Sequence, residues 1–172
     1  MNGPLHRFFS ADHRRLDELL RRSTAEPGRV DLAAFGELRA GLLKHIGMEE
    51  KVLFVAAREA RGGQPLPIAA GLRVDHGAIA ALLVPTPTPA IVAEIRSVLV
   101  PHNHREEEPD GAYDACDAAL GPAGAERLVE QLRSFPEVPL KPYNDGPQVM
   151  KHIAENLELS RRHWLEKDDL TS

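Results

Sequence analysis

The sequence predicts an all-α fold, and three patterns support this prediction. Apolar residues recur at intervals of three and four along several stretches, as they do on one face of an amphipathic helix. No useful length of chain alternates apolar and polar residues with the period of two that is typical of a strand. Breaks rich in proline and glycine join the helical stretches through short loops. Short connections favour an antiparallel up-and-down four-helix bundle, here with a helical C-terminal extension.

Four stretches have the pattern of bundle helices. Asp31 is the expected N-cap of the second helix, because its side chain can accept from the free backbone N–H groups of the first turn. The prolines that follow residue 84 cannot continue a helix interior, so the third helix ends there. Pro101 lies inside the fourth helix, where we expect a kink. The predicted helices cover residues 4–23, 31–61, 68–84 and 90–108.

The last third of the chain has a different pattern. Helical character resumes at 113–120 and 124–133, an irregular stretch covers 136–147, and a polar helix is predicted for 148–165. This part does not repeat the earlier pattern. We therefore predict a bundle domain over residues 1–120 and a helical extension over residues 121–172 that packs on it.

The amino-acid composition indicates the cellular compartment and excludes some classes of partner. The 172 residues are 42% hydrophobic, which is enough for one packed core. A net charge of -5 gives no electrostatic footprint for nucleic acid. The single cysteine, Cys116, cannot form an internal disulfide, which favours a reducing compartment. Residues 1–22 carry charges every few positions, without a signal peptide or membrane span. We expect a cytoplasmic protein with neither nucleic-acid nor membrane partners.

Histidine is unusually common, with eight residues where average composition gives about four. Each predicted bundle helix carries one histidine among its apolar positions, and two of these histidines have a glutamate one turn later. The spacing of four residues puts both side chains on one face of the helix. At a rise of about 1.5 Å per residue, the four histidines lie within about two turns of one level. The six residues are His13, His45, Glu49, His76, His102 and Glu106.

The chemistry of these six residues favours a metal site over a hydrogen-bonded polar core. Burying two unpaired carboxylates would cost several kcal/mol each. The pattern places no lysine or arginine on the inward face to neutralise them, whereas a metal ion would. Imidazole and carboxylate together suit first-row metals, and bridging carboxylates can hold two divalent ions. Iron is the expected metal, with zinc or manganese as substitutes.

The remaining histidines and one aspartate are expected outside this cluster. His104 lies about 200° around the helix from His102 and should face outward. His6 lies two turns before His13 and is expected at the rim of the site. The alternative is that it is an extra ligand. Asp17, His152 and His163 are predicted to be exposed. For Asp17 the alternative is that it binds the metal or orients a ligand.

The motifs in the four helices resemble those of the hemerythrin-like, or HHE cation-binding, family. The resemblance rests on residues 12–19, 45–54, 75–80 and 102–107, and it covers about residues 4–120. It implies a four-helix bundle that encloses two non-haem irons, bridged by two carboxylates and an oxo or hydroxo group. The ligands that it implies by position are His13, His45, Glu49, His76, His102 and Glu106.

Two departures from the family pattern bear on function. Oxygen-carrying members have a second histidine one turn after the third-helix histidine, where this chain has Ala80. The resemblance then implies an open coordination position, which Tyr143 or His152 would fill if the extension covers that end of the bundle. A Pro-Asp-Gly sequence also breaks the fourth helix just past Glu106, so either Glu106 or Glu107 is the bridging residue.

These features predict a non-haem di-iron protein that senses dioxygen, peroxide or nitric oxide, protects against oxidative or nitrosative stress, or handles iron. The alternative is an oxidoreductase of the peroxide-consuming or ferroxidase type that uses the open position. A third interpretation is an interaction module whose metal is only structural. The expected partners are a diatomic ligand or peroxide, with a homodimer or a separate output protein as further options.

Overall fold

The computed structural model describes residues 2–171, with side chains through Lys167. It is helical, without a strand among the described residues, so the predicted all-α fold is confirmed. A π-helical turn, Glu49–Leu53, joins α2 to α3. The helices are α1 (Pro4–Ser23), α2 (Leu32–Met48), α3 (Phe54–Ala60), α4 (Ala69–Leu82), α5 (Pro89–Glu107), α6 (Ala112–Arg133) and α7 (Pro147–Thr171).

Four rods form the helical bundle: α1, the continuous rod of α2 and α3, α4 and α5. α1 packs against α2 and α5, and α4 packs against α5. The apolar core consists of two clusters, one that contains Leu16, Phe35 and Ile95 and one that contains Phe9 and Leu72. Along each rod, the histidine predicted to face inward lies between residues of these two clusters or at the edge of one. The polar centre of the bundle is therefore enclosed by apolar side chains on both sides.

The second rod begins as predicted, but its middle differs. The Asp31 carboxylate accepts from the backbone N–H groups of Ala33 and Ala34 at 2.9 and 3.0 Å, which confirms it as the N-cap. The predicted uninterrupted helix instead contains the π turn. Such a turn admits an extra residue and is common at functional sites. Here it begins at Glu49, one of the candidate ligands.

α5 and α6 enclose the opposite side of the centre. α5 is helical across Pro101 as far as Glu107. The two short helices predicted after it are present and meet at a kink at Gly121, which has the non-helical φ 66° and ψ 168°, and together they are labelled α6. α6 packs against α1 and α3, and Asp117 of α6 accepts the backbone N–H groups of Leu5 and His6 at 3.0 Å each. The start of α6 is thereby fixed against the start of α1.

The C-terminal helix α7 packs against α4. A Cβ at Gly71 of α4 would lie 2.6 Å from the side chains of His163 and Trp164, so this glycine permits the close approach. His163 is half-buried in this contact and the prediction that it is exposed was wrong, whereas His152 is exposed as predicted. Within the described part of the chain, no helix has the length and apolar character needed to cross a membrane.

One arginine contradicts the expectation that the inner faces carry no basic residue. Arg39 of α2 is buried, and its Nε donates to the backbone carbonyl of Leu83 at 2.8 Å. Its guanidinium lies 4.4 Å from the ring centre of Tyr143. Arg39 therefore donates to a backbone carbonyl at the end of α4 rather than to a buried carboxylate. Tyr143 packs on Arg39 instead of lying among the candidate ligands.

Candidate metal centre

The six candidate ligands meet inside the bundle, where each is at most 5% exposed. They form two groups of four, and within each group the candidate ligand atoms lie within 4.8 Å of one another. We call them the first position (His13, His45, Glu49, Glu106) and the second position (Glu49, His76, His102, Glu106). The two positions share both glutamates.

The two shared glutamates each direct one oxygen to each position. At the first position, Glu49 Oε1 lies 3.4 Å from His45 Nε2 and Glu106 Oε2 lies 3.4 Å from His13 Nε2. At the second, Glu49 Oε2 lies 3.1 Å from His76 Nε2 and Glu106 Oε1 lies 3.2 Å from His102 Nε2. Ligands about 2.1 Å from a metal ion and at right angles to one another are about 3 Å apart. The donor spacing therefore fits a pair of ions bridged by two carboxylates.

Three of these donor atoms make no well-directed hydrogen bond among the described residues, although each lies 3.1 or 3.2 Å from another group of the second position. They are Glu49 Oε2, His76 Nε2 and Glu106 Oε1, all buried. A buried polar atom without a partner costs about 1–3 kcal/mol, and more when it is charged. All three belong to the second position, and coordination of a cation would satisfy them together. The residues present thus fit a metal, on geometry as well as on chemistry.

Behind the donors, each of the four histidines places its Nδ1 against a carboxylate on another helix. Such a partner holds the Nδ1 proton, so that Nε2 presents its lone pair to the centre. We call these four acids the outer carboxylates. The pairs are His13 with Glu107, His45 with Asp12 at 2.8 Å, His76 with Glu50 at 2.7 Å and His102 with Asp75 at 3.2 Å.

The outer carboxylates follow a rule that is visible in the sequence. Each one directly precedes or follows a candidate ligand, in the doublets Asp-His, Glu-Glu, Asp-His and Glu-Glu along the four rods. In each doublet, one residue enters the centre and its neighbour holds the histidine of the next rod around the bundle. The repeated doublets were the signal that could have revealed these four residues.

The same geometry decides between the two adjacent glutamates of α5. Glu106 is fully buried and lies within 3.4 Å of histidines of both positions. Glu107 is partly exposed and contacts His13 from outside, through Nδ1. Glu106 is therefore placed to bridge, and Glu107 to orient a histidine.

Electrostatics at the centre is dominated by its carboxylates. Burial alone would lower the pKa of His45, but Glu49 and Asp12 raise it to about 9. Burial would also lower the pKa of His76, but Glu49 and Glu50 raise it to about 10. Without a metal, these histidines therefore carry protons at neutral pH, and the protons supply the positive charge that the centre needs.

Tyr113, at the start of α6, is a member of the site that the sequence analysis missed. Its hydroxyl donates to Glu49 Oε1 at 2.6 Å and lies 3.1 Å from His13 Nε2 and 3.1 Å from Glu106 Oε2. Its ring stacks on Phe9 with centroids 5.0 Å apart. Burial, together with the two carboxylates, raises the pKa of the phenol well above its usual value. Tyr113 thus holds a proton beside the first position.

A tight turn delivers Tyr113 to the centre. A Cβ at Gly111 would lie 2.7 to 2.8 Å from the backbone oxygens of Arg105, Glu108 and Glu106, so only glycine fits where the chain folds back. The Pro-Asp-Gly sequence that departs from the family pattern is part of this turn. The position of this turn shortly after Glu106 was the signal for Tyr113.

Other residues singled out in the sequence lie outside both positions. His6 is buried rather than at a rim, with Nδ1 2.7 Å from Asp114, and it belongs to neither group of donors. The side chain of His104 is 75% exposed, as predicted. Asp17 is also exposed, as predicted. Ala80 is half-buried, and neither exposed His152 nor Tyr143 joins the donor groups.

A small cavity borders the donors. Its volume is about 30 Å³, and its lining includes His13, His45 and His102 together with apolar residues such as Leu42, Ile79 and Leu99. A cavity of this size holds about one water molecule or a comparable small ligand. The lining combines histidines of both positions, so such a ligand would lie beside both.

The comparisons with known proteins agree with this geometry. The family model of the hemerythrin HHE cation binding domain matches residues 5–110. No curated protein and no solved structure matches the chain. The matched segment holds all six candidate ligands and the four outer carboxylates, but neither Tyr113 nor α7. Because the match covers more than half of the chain, the chain belongs to the hemerythrin HHE cation-binding domain family.

Proposed function

We propose that this protein holds two iron ions in its bundle and uses them to sense dioxygen, peroxide or nitric oxide, or to protect against the stress that these molecules cause. The observation that carries the proposal is the pair of donor groups that share Glu49 and Glu106, in which three buried donor atoms make no well-directed hydrogen bond among the described residues. A cytoplasmic location belongs to the same proposal, because the one cysteine forms no internal disulfide.

The charge of the centre suits two divalent cations. Six carboxylates lie at it or directly behind its histidines, and arginines partly compensate three of the outer ones: Asp12 by Arg15 at 2.8 Å, Glu50 by Arg73 at 2.8 Å and Asp75 by Arg105 at 3.7 Å. His13 and His45 would hold one ion and His76 and His102 the other, with both shared glutamates between them. Bound iron would supply the redox electrons and the affinity for oxygen-derived ligands or nitric oxide. Zinc or manganese would suit the same donors.

Two features favour a small ligand. Each position has two histidines, and at the second position Ala80 stands where oxygen carriers of the family have a third. The adjacent cavity, of about 30 Å³, has the volume of a small ligand. Tyr113 adds a protonated hydroxyl beside both shared carboxylates, where it can donate a hydrogen bond.

Anaerobic loading with ferrous iron, followed by addition of dioxygen, peroxide or nitric oxide, tests the proposal. We expect iron uptake and an absorption change that saturates near one equivalent of ligand per pair of ions. Glu49→Gln, which removes one charge from both positions, is the matched control and should show neither. Sustained turnover of peroxide or ferrous iron would instead support the oxidoreductase alternative. Failure of the unaltered protein to take up iron would contradict both.

A further inference from the structure

The outer carboxylate behind His102 is held by the C-terminal helix. Asp75 Oδ1 accepts from Ser160 Oγ at 2.6 Å and from Trp164 Nε1 at 3.0 Å. Asp75 Oδ2 faces His102 Nδ1 at 3.2 Å. Since Asp75 is only 1% exposed, these hydrogen bonds lie in a medium of low dielectric, where they are stronger than in water. A continuous set of contacts thus connects α7 to a candidate metal ligand.

The other outer carboxylates have no comparable support. Asp12 pairs with Arg15 of its own helix, and Glu50 pairs with Arg73 of α4. The side chains of Asp12, Glu50 and Glu107 are 17%, 25% and 33% exposed, so water can solvate them. Among the four, Asp75 is the one that is fully buried and that receives hydrogen bonds from beyond the segment matching the family.

The packing around Asp75 makes these polar contacts important for the docking of α7. The guanidinium of Arg105 lies 3.8 Å from the ring centre of Trp164, and its Nη1 lies 3.7 Å from Asp75 Oδ2. A cleft of about 360 Å³ remains between α5 and α7, bordered by Asp75, Ser160 and Trp164. The hydrogen bonds that Asp75 Oδ1 accepts from side chains of the described residues both come from α7, so the orientation of Asp75 depends on this helix.

Building on the proposed metal binding, we propose that Ser160 and Trp164 are positioning residues of the second metal position. They fix Asp75 so that it holds the Nδ1 proton of His102, which leaves Nε2 directed at the ion. Partners behind a metal-binding histidine typically contribute 10- to 100-fold to metal affinity. Linkage is reciprocal, so an ion at the second position stabilises the docking of α7 by the same factor. How stably α7 docks on the bundle therefore depends on whether the second position holds an ion.

The test compares the full chain with its Ser160→Ala and Trp164→Phe variants during anaerobic titration with ferrous iron. Trp164→Phe keeps an aromatic ring beside Arg105 but removes the N–H donor. For each variant we expect about tenfold weaker binding of one of the two ions, unchanged binding of the other, and a change in only one of the two iron signals in Mössbauer spectra. Hydrogen exchange in α7 should slow when iron is added to the unaltered protein, and slow less in the variants.

Arg161→Ala is the matched control, because it removes an exposed ion pair between α7 and Glu94 of α5 without touching Asp75. It should bind both ions like the unaltered protein. If all four proteins bind two ions with equal affinity and identical spectra, the positioning role is wrong while the proposed function stands. If the unaltered protein binds no iron, the proposed function itself fails. Equal weakening by Arg161→Ala would show a merely structural role for α7, and would also overturn the inference.

Discussion

At the scale of single residues, the metal centre depends on which nitrogen of each histidine carries the proton. The outer carboxylates fix this choice for all four histidines, and Asp75 does so for His102 from a fully buried position. Individual histidines and glutamates could be assigned from helical periodicity, because a ligand must share the apolar face of its helix. Helical periodicity does not assign the outer carboxylates, since their role depends on contacts between helices, and the repeated doublets are the sequence signal for them.

Metal uptake should release protons. The raised pKa values of His45, about 9, and His76, about 10, mean that both are protonated at neutral pH in the metal-free protein, whereas a metal binds only neutral imidazole. Apparent metal affinity should therefore rise from neutral pH up to about pH 10. Calorimetric titration at pH 7 in two buffers of different ionisation enthalpy would measure the release. An identical heat in both buffers would count against this prediction.

The same pKa values determine how the stability of the metal-free protein changes with pH. A group whose pKa is higher in the folded protein adds stability that is complete below its unfolded value, 6.5 for histidine, and is lost as the pH rises through its folded value. The contribution of His45 and His76 should thus disappear between about pH 7 and 10. The free energy of unfolding in urea should fall over this interval, and a constant value would show that these histidines are neutral throughout.

Tyr113→Phe should weaken metal binding at the first position while keeping the fold. Phenylalanine retains the stack on Phe9 but removes the hydroxyl that donates to Glu49. By analogy with other groups that orient ligands, we expect a loss of about tenfold in affinity for one ion. Stepwise titration with ferrous iron measures it. Unchanged binding of both ions would remove Tyr113 from the centre.

At the scale of elements, two local deviations from regular helix shape the site. The π turn at Glu49–Leu53 lets adjacent residues serve different histidines, because Glu49 enters the centre while Glu50 reaches His76. The turn at Gly111 returns the chain so that Tyr113 meets both shared glutamates. Helix periodicity predicted the rods but not the π turn, which contacts with other helices stabilise. The Pro-Asp-Gly sequence predicted the turn after α5, but not that this turn brings Tyr113 to the centre.

Gly111→Ala should destabilise the metal-free protein by about 1–3 kcal/mol, because the added methyl group would overlap three backbone oxygens. Gly36→Ala is the control. Its Cβ would meet nothing within 4 Å among the described residues, and alanine in a helix interior is favoured over glycine by roughly 0.5–1 kcal/mol. Urea unfolding of both variants would measure the difference. A stable Gly111→Ala protein would mean that the turn can relax.

At the scale of the whole molecule, the bundle surrounds its polar centre with apolar layers, and α6 and α7 each bring one further contribution to it. Apolar spacing predicted the all-α fold, the order of the rods and the inward direction of four histidines, because that spacing determines which face of a helix is buried. The contacts of Tyr113 and the support of Asp75 by α7 did not follow from it, since both come from segments beyond the residues that match the family model, and they depend on packing between helices.

Metal should stabilise the entire fold, since the ligands come from four separate rods. Iron at 100 times its dissociation constant would add about 2.7 kcal/mol for each site. For a chain of this size, 1 kcal/mol raises the melting temperature by about 2–4 °C, so filling one position should raise Tm by about 5–10 °C. Differential scanning calorimetry with and without iron measures the shift. The Glu49→Gln variant should show none, and a shift of equal size in that variant would indicate binding elsewhere.

The most direct test of the account is the metal content of protein loaded anaerobically with ferrous iron and then freed of unbound iron. The account predicts two irons per chain in the unaltered protein, two in His104→Ala, whose side chain faces solvent, and none in Glu49→Ala. A chain that retains no iron, or a His104→Ala variant that loses it while Glu49→Ala keeps it, would contradict the account.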